Sequence, residues 1–341
     1  MQTSGERTRS NQEIVFTEPG VVQVAGCDVP SPGPGEVLIR TRATLISTGT
    51  ELTVLAADYP PGSQWAQMFP FPVRPGYDNV GEVVEVGAGV DPEWIGRRVG
   101  SLAPHARYVS APISDCRLVP EGVSDEQAAF FTIAEIVMNG VRRSRLSWGE
   151  TAVVFGLGLL GQLAVRVCLY AGASAVIAVD VARARLDFLP DDPRVHPVDA
   201  GEAATADVVR RLTRDRMADV AFEVTGEPDL VISQLATLRD QGRLLVLSSP
   251  RGPATLDLHD HLVFPSVSII GAHNRSHPRQ ATLEDPWVPQ RHAELFFDAV
   301  AAGLLPLERL VTHRRPYRDA PELYGMLLRD RSALMGVVLD W

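Results

Sequence analysis

The chain has 341 residues, 45% of them hydrophobic and 22% charged, enough for a core in each of two domains. Its formal net charge of −10 disfavours nucleic acid or an anionic membrane as partner. All 32 basic residues are arginine, which excludes a lysine general acid or Schiff base, and three widely separated cysteines, Cys27, Cys116 and Cys168, point to a reducing cytoplasm rather than a disulfide framework or zinc knuckle.

Residues 1–12 are polar, lack the apolar core of a signal peptide, and are expected to be a disordered tail. No apolar run is long enough to span a bilayer. From residue 13 to about 120 the pattern is β-rich, with strands expected at 14–16, 20–24, 36–43, 80–87, 97–100 and 106–110. The turn cluster Pro30-Ser-Pro-Gly-Pro-Gly35 separates two of them, and many short strands with Gly/Pro turns imply a compact barrel-like unit. A helix is predicted over 125–141, capped by Ser124 with Gln127 at the capping-box position.

The character then changes to alternating strand and helix. Strands are expected at 151–155, 175–180, 195–198, 219–224, 243–248 and 267–271, with helices at 159–171, 182–189, 203–216 and 228–240. Such alternation demands an α/β fold, a doubly wound parallel sheet with helices on both faces. The remainder gives a helix at 291–302, a strand near 309–311, a helix at 319–329 and a strand at 335–340.

Within the first strand–helix–strand unit, Gly156, Gly158 and Gly161 are spaced G-x-G-x-x-G, and Asp180 follows Gly156 by 24 positions. Gly156 permits the tight turn, Gly158 lets backbone approach a pyrophosphate, and Gly161 lets the helix sit close to the sheet. The helix N-terminus, at Leu159 and Leu160, offers free N–H groups and the positive end of a dipole. Asp180 can accept from both hydroxyls of an adenosine ribose and would repel a 2′-phosphate, so NAD is expected over NADP. Arg183 and Arg185 follow closely and soften that preference; Arg185, Thr225 and Ser248 are also expected at the cofactor.

Several segments, in order, carry a family resemblance: Pro75-Gly-Tyr-Asp-Asn-Val-Gly-Glu-Val-Val-Glu-Val-Gly87, Trp148-Gly-Glu150, Glu223-Val-Thr-Gly226, Gly242-Arg-Leu-Leu-Val-Leu247 and Leu310-Val-Thr-His-Arg-Arg-Pro-Tyr317. From about residue 14 onward the chain resembles the medium-chain dehydrogenase/reductase superfamily. The resemblance implies a GroES-like β-rich catalytic domain (13–127 and 273–341) interrupted by a Rossmann dinucleotide-binding domain (128–272), with the active site between them. It also implies a homodimer joined through the strand at 267–271. Ile46-Ser-Thr-Gly-Thr-Glu51 and Pro75-Gly-Tyr-Asp78 are similar to bacteriochlorophyllide-type side-chain dehydrogenases. Ala103-Pro-His-Ala-Arg-Tyr-Val109 and 131–142 are similar to the dehydrogenase half of oxidoreductases acting on sugar-like substrates.

The departures from the zinc-dependent pattern matter most. Thr48 stands where the family's cysteine ligand belongs, Tyr77 replaces its histidine, and Asp78 is the adjacent acid. No cysteine lies between Asp91 and Tyr108, so the structural zinc is not expected. Asp78 and Glu135 fall near family ligand positions, but Zn²⁺ needs thiolate, imidazole or carboxylate at tetrahedral spacing, so catalytic zinc is not expected either.

Without the metal, a developing alkoxide needs a hydrogen-bond donor and a proton relay. Tyr77, Thr48 and Ser47 are the candidate donors, with His105 and Glu135 as relay or orienting groups and Asp78 and Glu51 fixing loop geometry. Tyr77 or His105 would protonate the substrate oxygen, Tyr77 most readily if a neighbour lowers its pKa. Plainer roles stand beside these: Tyr77 filling the space of a lost metal, His105 packed in a loop, Glu51 and Asp78 bonding backbone or arginine. Residues His273, Asn274, Arg275 and His277 follow the last sheet strand, where they either touch nicotinamide or substrate or form a polar loop. The expected activity is NAD(P)-dependent hydride exchange with a small-molecule secondary alcohol or ketone. Reduction of an activated C=C bond and non-catalytic nucleotide binding are the alternatives.

Overall fold

A computed structural model describes residues 10–332 and 334–341. Strand β1 (Asn11–Glu18) pairs antiparallel with β2 (Val21–Cys27). Asn11 and Gln12 therefore belong to a strand rather than to the expected tail: Asn11 is buried and its amide donates to the carbonyls of Asp28 and Tyr108. The rest of that tail, residues 1–9, lies outside the described residues. Strand β3 (Glu36–Leu45) is followed by two short helices, α1 (Thr50–Ala56) and α2 (Gln64–Met68), where the β-rich reading had no helix. Leu52 and Leu55 of α1 bury against Ile14, Phe16 and Tyr324, so packing rather than periodicity makes this helix.

Strands β4 (Asn79–Val86), β5 (Arg98–Ser101), β6 (Tyr108–Pro112) and β7 (Arg117–Leu118) complete the N-terminal part. The helix predicted over 125–141 is two: α3 (Asp125–Ala128), with the expected capping box, and α4 (Phe131–Arg143). The break at Ala129–Phe130 lets the adjacent Phe130 and Phe131 both bury completely.

The nucleotide-type unit comprises β8 (Thr151–Phe155), α5 (Leu159–Tyr170), β9 (Ala175–Asp180), α6 (Arg183–Leu186), β10 (Val195–Asp199) and α7 (Thr205–Leu212), followed by β11 (Ala218–Glu223), α8 (Val231–Leu235), β12 (Leu238–Val246) and β13 (Ser268–Gly271). All six strands are parallel in the order β10-β9-β8-β11-β12-β13. The order reverses between β8 and β11, which opens a crevice at their carboxyl ends. Helix α7 stops short of the predicted residue 216 because Arg214, Asp215 and Met217 take positive φ. Helix α8 ends at Leu235, not 240; Thr237 bonds back to the Gln234 carbonyl and the chain enters β12 early.

Helix α9 (Pro289–Ala301), strand β14 (Val311–Pro316), helix α10 (Ala320–Arg329) and strand β15 (Gly336–Asp340) close the chain. The strand expected near 309–311 thus begins at Val311. The second sheet runs β14-β15-β3-β4-β5-β7, with β6 on β3, so the last strand returns beside one of the first. One hydrophobic cluster joins the two units: Val80, Phe130 and Val338 belong with Val154, Leu163 and Phe222. Among the described residues no helix is long and apolar enough to cross a membrane.

Candidate active site

The glycine turn fits a dinucleotide. Gly156 has φ +91°, and a β-carbon there would come within 3.0 Å of the Thr225 N–H nitrogen. A β-carbon on Gly161 would sit 1.8 Å from the Gly156 carbonyl oxygen, whereas one on Gly158 would meet nothing within 4 Å. That open space is where the backbone can approach a phosphate. No side chain caps α5, so its first-turn amides, including those of Leu159 and Leu160, remain free for an anion.

Asp180 is buried at the end of β9. Its Oδ2 accepts from Leu157 N–H at 2.7 Å and from Arg185 at 3.2 Å, and its Oδ1 accepts from Ala182 N–H at 2.8 Å. Asp180 and Arg185, both expected at the cofactor, thus form an ion pair with each other. Glu223, which sequence reasoning passed over, organises the next strand end. Its Oε1 accepts from Thr225 N–H at 2.7 Å, Gly226 N–H at 3.0 Å and the Thr225 hydroxyl at 2.5 Å; its Oε2 takes the Ser248 hydroxyl. The hydroxyls of Thr225 and Ser248 are therefore turned to Glu223. Arg251 bridges the two units, from Glu227 to Asp58 at 2.8 Å.

On the catalytic side, the loop after β3 and the Gly76 turn bring hydroxyls together. Ser47 and Tyr77 share a short hydrogen bond, and the Tyr77 hydroxyl also reaches Thr50 Oγ1 at 3.3 Å. Thr48, expected in this group, is half-buried and takes no part in the network, whereas Thr50 does. Burial holds the Tyr77 phenol well above its ordinary pKa, and the neighbouring Asp78 charge pushes the same way. The expectation of a lowered Tyr77 pKa is therefore corrected: Tyr77 is a protonated hydrogen-bond donor at neutral pH.

His105 does not reach the cleft. It is 1% exposed, its Nε2 is 3.1 Å from Glu51 Oε2, and its ring packs on Gly76, where a β-carbon would be 2.7 Å from its Cδ2. Of the two side chains, His105 and Tyr77, only Tyr77 places its polar atom among the clustered hydroxyls. Asp78 also departs from expectation: it is fully buried, and neither carboxylate oxygen has a hydrogen-bond partner among the described residues. Burial, then the charges of Glu51 and Glu135, raise its pKa well above the carboxylate range. Thr132 opposes this, but its hydroxyl is committed to the Tyr77 carbonyl at 2.8 Å. The buried Asp78 carboxyl therefore holds its proton more readily than an ordinary carboxylate, and no arginine pairs with it among the described residues. Glu135 is not a free relay group, since Arg117 Nε holds its Oε1 at 2.9 Å; burial nonetheless outweighs that partner and lifts its pKa to about 7.

Among the described residues no three His, Cys, Asp or Glu side chains come together to hold a metal ion. Thr48 and Tyr77, at the positions where the family's cysteine and histidine ligands are expected, carry neutral hydroxyls, of which Tyr77 is bonded to Ser47 and Thr50; neutral hydroxyls are a poor donor set for Zn²⁺.

The loop after β13 is a hydrogen-bonded polar loop. The Asn274 carbonyl can only accept, so His277 Nδ1–H donates to it at 2.8 Å, and His277 Nε2 accepts from His292 Nδ1–H at 3.1 Å. His292 Nε2 in turn accepts from Arg142 Nε–H at 3.4 Å. Arg275 N–H donates to His273 Nδ1 at 3.1 Å. A cavity of ≈ 670 Å³ lies beside this loop and the outer edge of β13, lined by Arg142, Arg143, Arg145, Arg243 and Trp287 among others. None of the clustered hydroxyls lines it.

Two family models match the chain: residues 33–154 match the alcohol dehydrogenase GroES-like domain, and residues 160–285 match the zinc-binding dehydrogenase domain. The chain is 27% identical over 351 residues to L-threonine 3-dehydrogenase of Xanthomonas euvesicatoria pv. vesicatoria (strain 85-10), covering 92% of this chain and 94% of that one. The structure of 2R,3R-butanediol dehydrogenase from Bacillus subtilis is similar with a TM-score of 0.82 at 20% identity, covering 97% and 99% of the two chains. A protein described as a short chain alcohol dehydrogenase from E. coli CFT073, complexed with cofactor NADH, gives 0.82 at 16% identity with the same coverage, 97% and 99%. At those identities the two structures speak for the fold.

Proposed function

The chain belongs to the medium-chain dehydrogenase/reductase superfamily, and from that premise we propose that it transfers hydride between NAD(P) and a secondary alcohol or ketone without a catalytic zinc. The observation that carries this reading is Tyr77, standing where a ligand histidine is expected and bonded through its hydroxyl to Ser47 and Thr50. Bound NAD(P) would supply or accept the hydride. Gly156, Gly158 and the start of α5 would hold its phosphates, and Asp180 its adenosine ribose.

In the reducing direction, the Tyr77 hydroxyl donates a hydrogen bond to the substrate carbonyl oxygen and passes its proton to that oxygen as alkoxide character develops. A phenol of raised pKa remains a stronger acid than an alcohol, so the transfer is downhill; the Ser47 hydroxyl donates a hydrogen bond to the resulting phenolate until solvent returns the proton. The polar floor favours carbonyl chemistry over reduction of a C=C bond, which has less need of an oxyanion donor. A hydroxylated substrate, such as a cyclic polyol, an amino-sugar or a related biosynthetic intermediate, suits these groups. The threonine dehydrogenase relative, whose named substrate places a secondary alcohol beside an amine, supports that class.

A panel of small secondary alcohols and ketones, L-threonine included, followed by NAD(P)H absorbance, tests the activity. Tyr77→Phe should lower turnover by about 100-fold while NADH affinity is unchanged. Full activity in that variant, or stoichiometric zinc in the active sample, would overturn the mechanism. Asp180 supports NADH over NADPH, and fluorescence titration with each should find NADH the tighter; the Arg185 ion pair, which partly neutralises Asp180, keeps NADPH from complete exclusion.

A further inference from the structure

We propose that Glu51 and Tyr324 form a buried clamp that sets the position of the Ser47–Tyr77 hydroxyl pair. Its catalytic consequence rests on the function proposed above; its existence does not. Glu51, 3% exposed in the first turn of α1, directs both carboxylate oxygens inward. Oε1 accepts from Ser47 N–H at 2.8 Å, and Oε2 accepts from the Tyr324 hydroxyl and lies 3.1 Å from His105 Nε2. A carboxylate can only accept, so His105 presents Nε2–H to it.

Ser47 is thereby held at two points with separate purposes. Glu51 fixes its backbone, and its own hydroxyl is left to meet Tyr77. The clamp is anchored from three directions: the loop after β3, the loop before β6 that carries His105, and α10, which carries the fully buried Tyr324. Tyr324 also packs edge-on against Phe16, with ring centroids 5.1 Å apart, so its hydroxyl has little freedom to leave Glu51. Neither Glu51 nor Tyr324 touches the cleft; both act through Ser47. They are positioning residues, and hydroxyl geometry this dependent on support loses rate steeply when it slips.

The test labels the protein with 3-fluorotyrosine and reads its six tyrosines by ¹⁹F NMR, assigning the two relevant signals with Tyr77→Phe and Tyr324→Phe. Ser47→Ala should move the Tyr77 signal directly and leave that of Tyr324 in place. Glu51→Gln should move both signals, and Tyr324→Phe should move that of Tyr77. The proposal is overturned if Tyr77 stays unmoved in Tyr324→Phe and in Glu51→Gln, or, should Glu51→Gln fail to fold, in Tyr324→Phe alone. This readout needs no substrate, so it stands apart from the success of the alcohol panel. With an active substrate in hand, Glu51→Gln should lower kcat about tenfold with KM and NADH affinity unchanged; an effect on KM alone would overturn the positioning role.

Discussion

A neutral imidazole is required at His292, because its Nε2 accepts from Arg142 while its Nδ1–H donates to His277. Burial, reinforced by His277 and the arginines Arg142 and Arg291, brings its pKa down to about 3. The folded pKa lies below the unfolded value of about 6.5, so the unfolded chain takes up the proton first. The stability is whole above pH 6.5 and declines as pH falls toward 3, at up to about 1.4 kcal/mol per unit for this one proton. Thermal melts across that range should show the loss, and His292→Gln, which cannot take up the proton, should show a shallower slope; an equal slope would remove His292 as its source. At this scale the sequence made Tyr77, Ser47 and Asp180 visible because each sits in a local motif. It could not reveal Glu223 as the holder of Thr225 and Ser248, or Tyr324 on Glu51. Tyr324 lies far along the chain from its partner, and no spacing rule connects them. The states of Tyr77 and Asp78 were equally hidden, since both follow from burial.

Among the elements, the β8–α5 turn separates two uses of glycine. Gly161→Ala would put a β-carbon into the Gly156 carbonyl, so the helix must move off the sheet and both stability and cofactor binding should fall. Gly158→Ala meets open space, so the apo protein should melt within about 0.5 kcal/mol of wild type while NADH affinity drops. Melts paired with NADH titration separate these outcomes; equal loss of stability in both variants would defeat the distinction. The alternation of parallel strands and helices was legible because buried strands are near-continuous apolar runs. Element ends were less so: α7 and α8 stop at positive-φ residues and a side-chain cap, neither of which changes the hydrophobic period. Helices α1 and α2 escaped notice because helices this short depend on the surfaces they cover.

For the whole molecule, β13 ends the six-stranded sheet with no further strand beside it among the described residues, and it carries the exposed Ile269. An edge of this kind needs a cover, and we propose that a second copy pairing the same strand antiparallel provides it. Light scattering during size exclusion should return twice the 37.0 kDa chain mass, and Ile269→Asp should shift the population toward monomer. A monomer in the wild-type protein would leave the edge to another partner. The two units also share a single apolar cluster through α4, which packs on both α5 and α9. Their boundary is thus a matter of topology more than of packing. An engineer wishing to trade cofactor preference by transplanting the nucleotide unit from a relative could not cut at the ends of its sheet. The donor's counterparts of α4 and α9, and of Phe130 beneath Gly336, would have to travel with it, because the seam between the units runs through the interior of the protein.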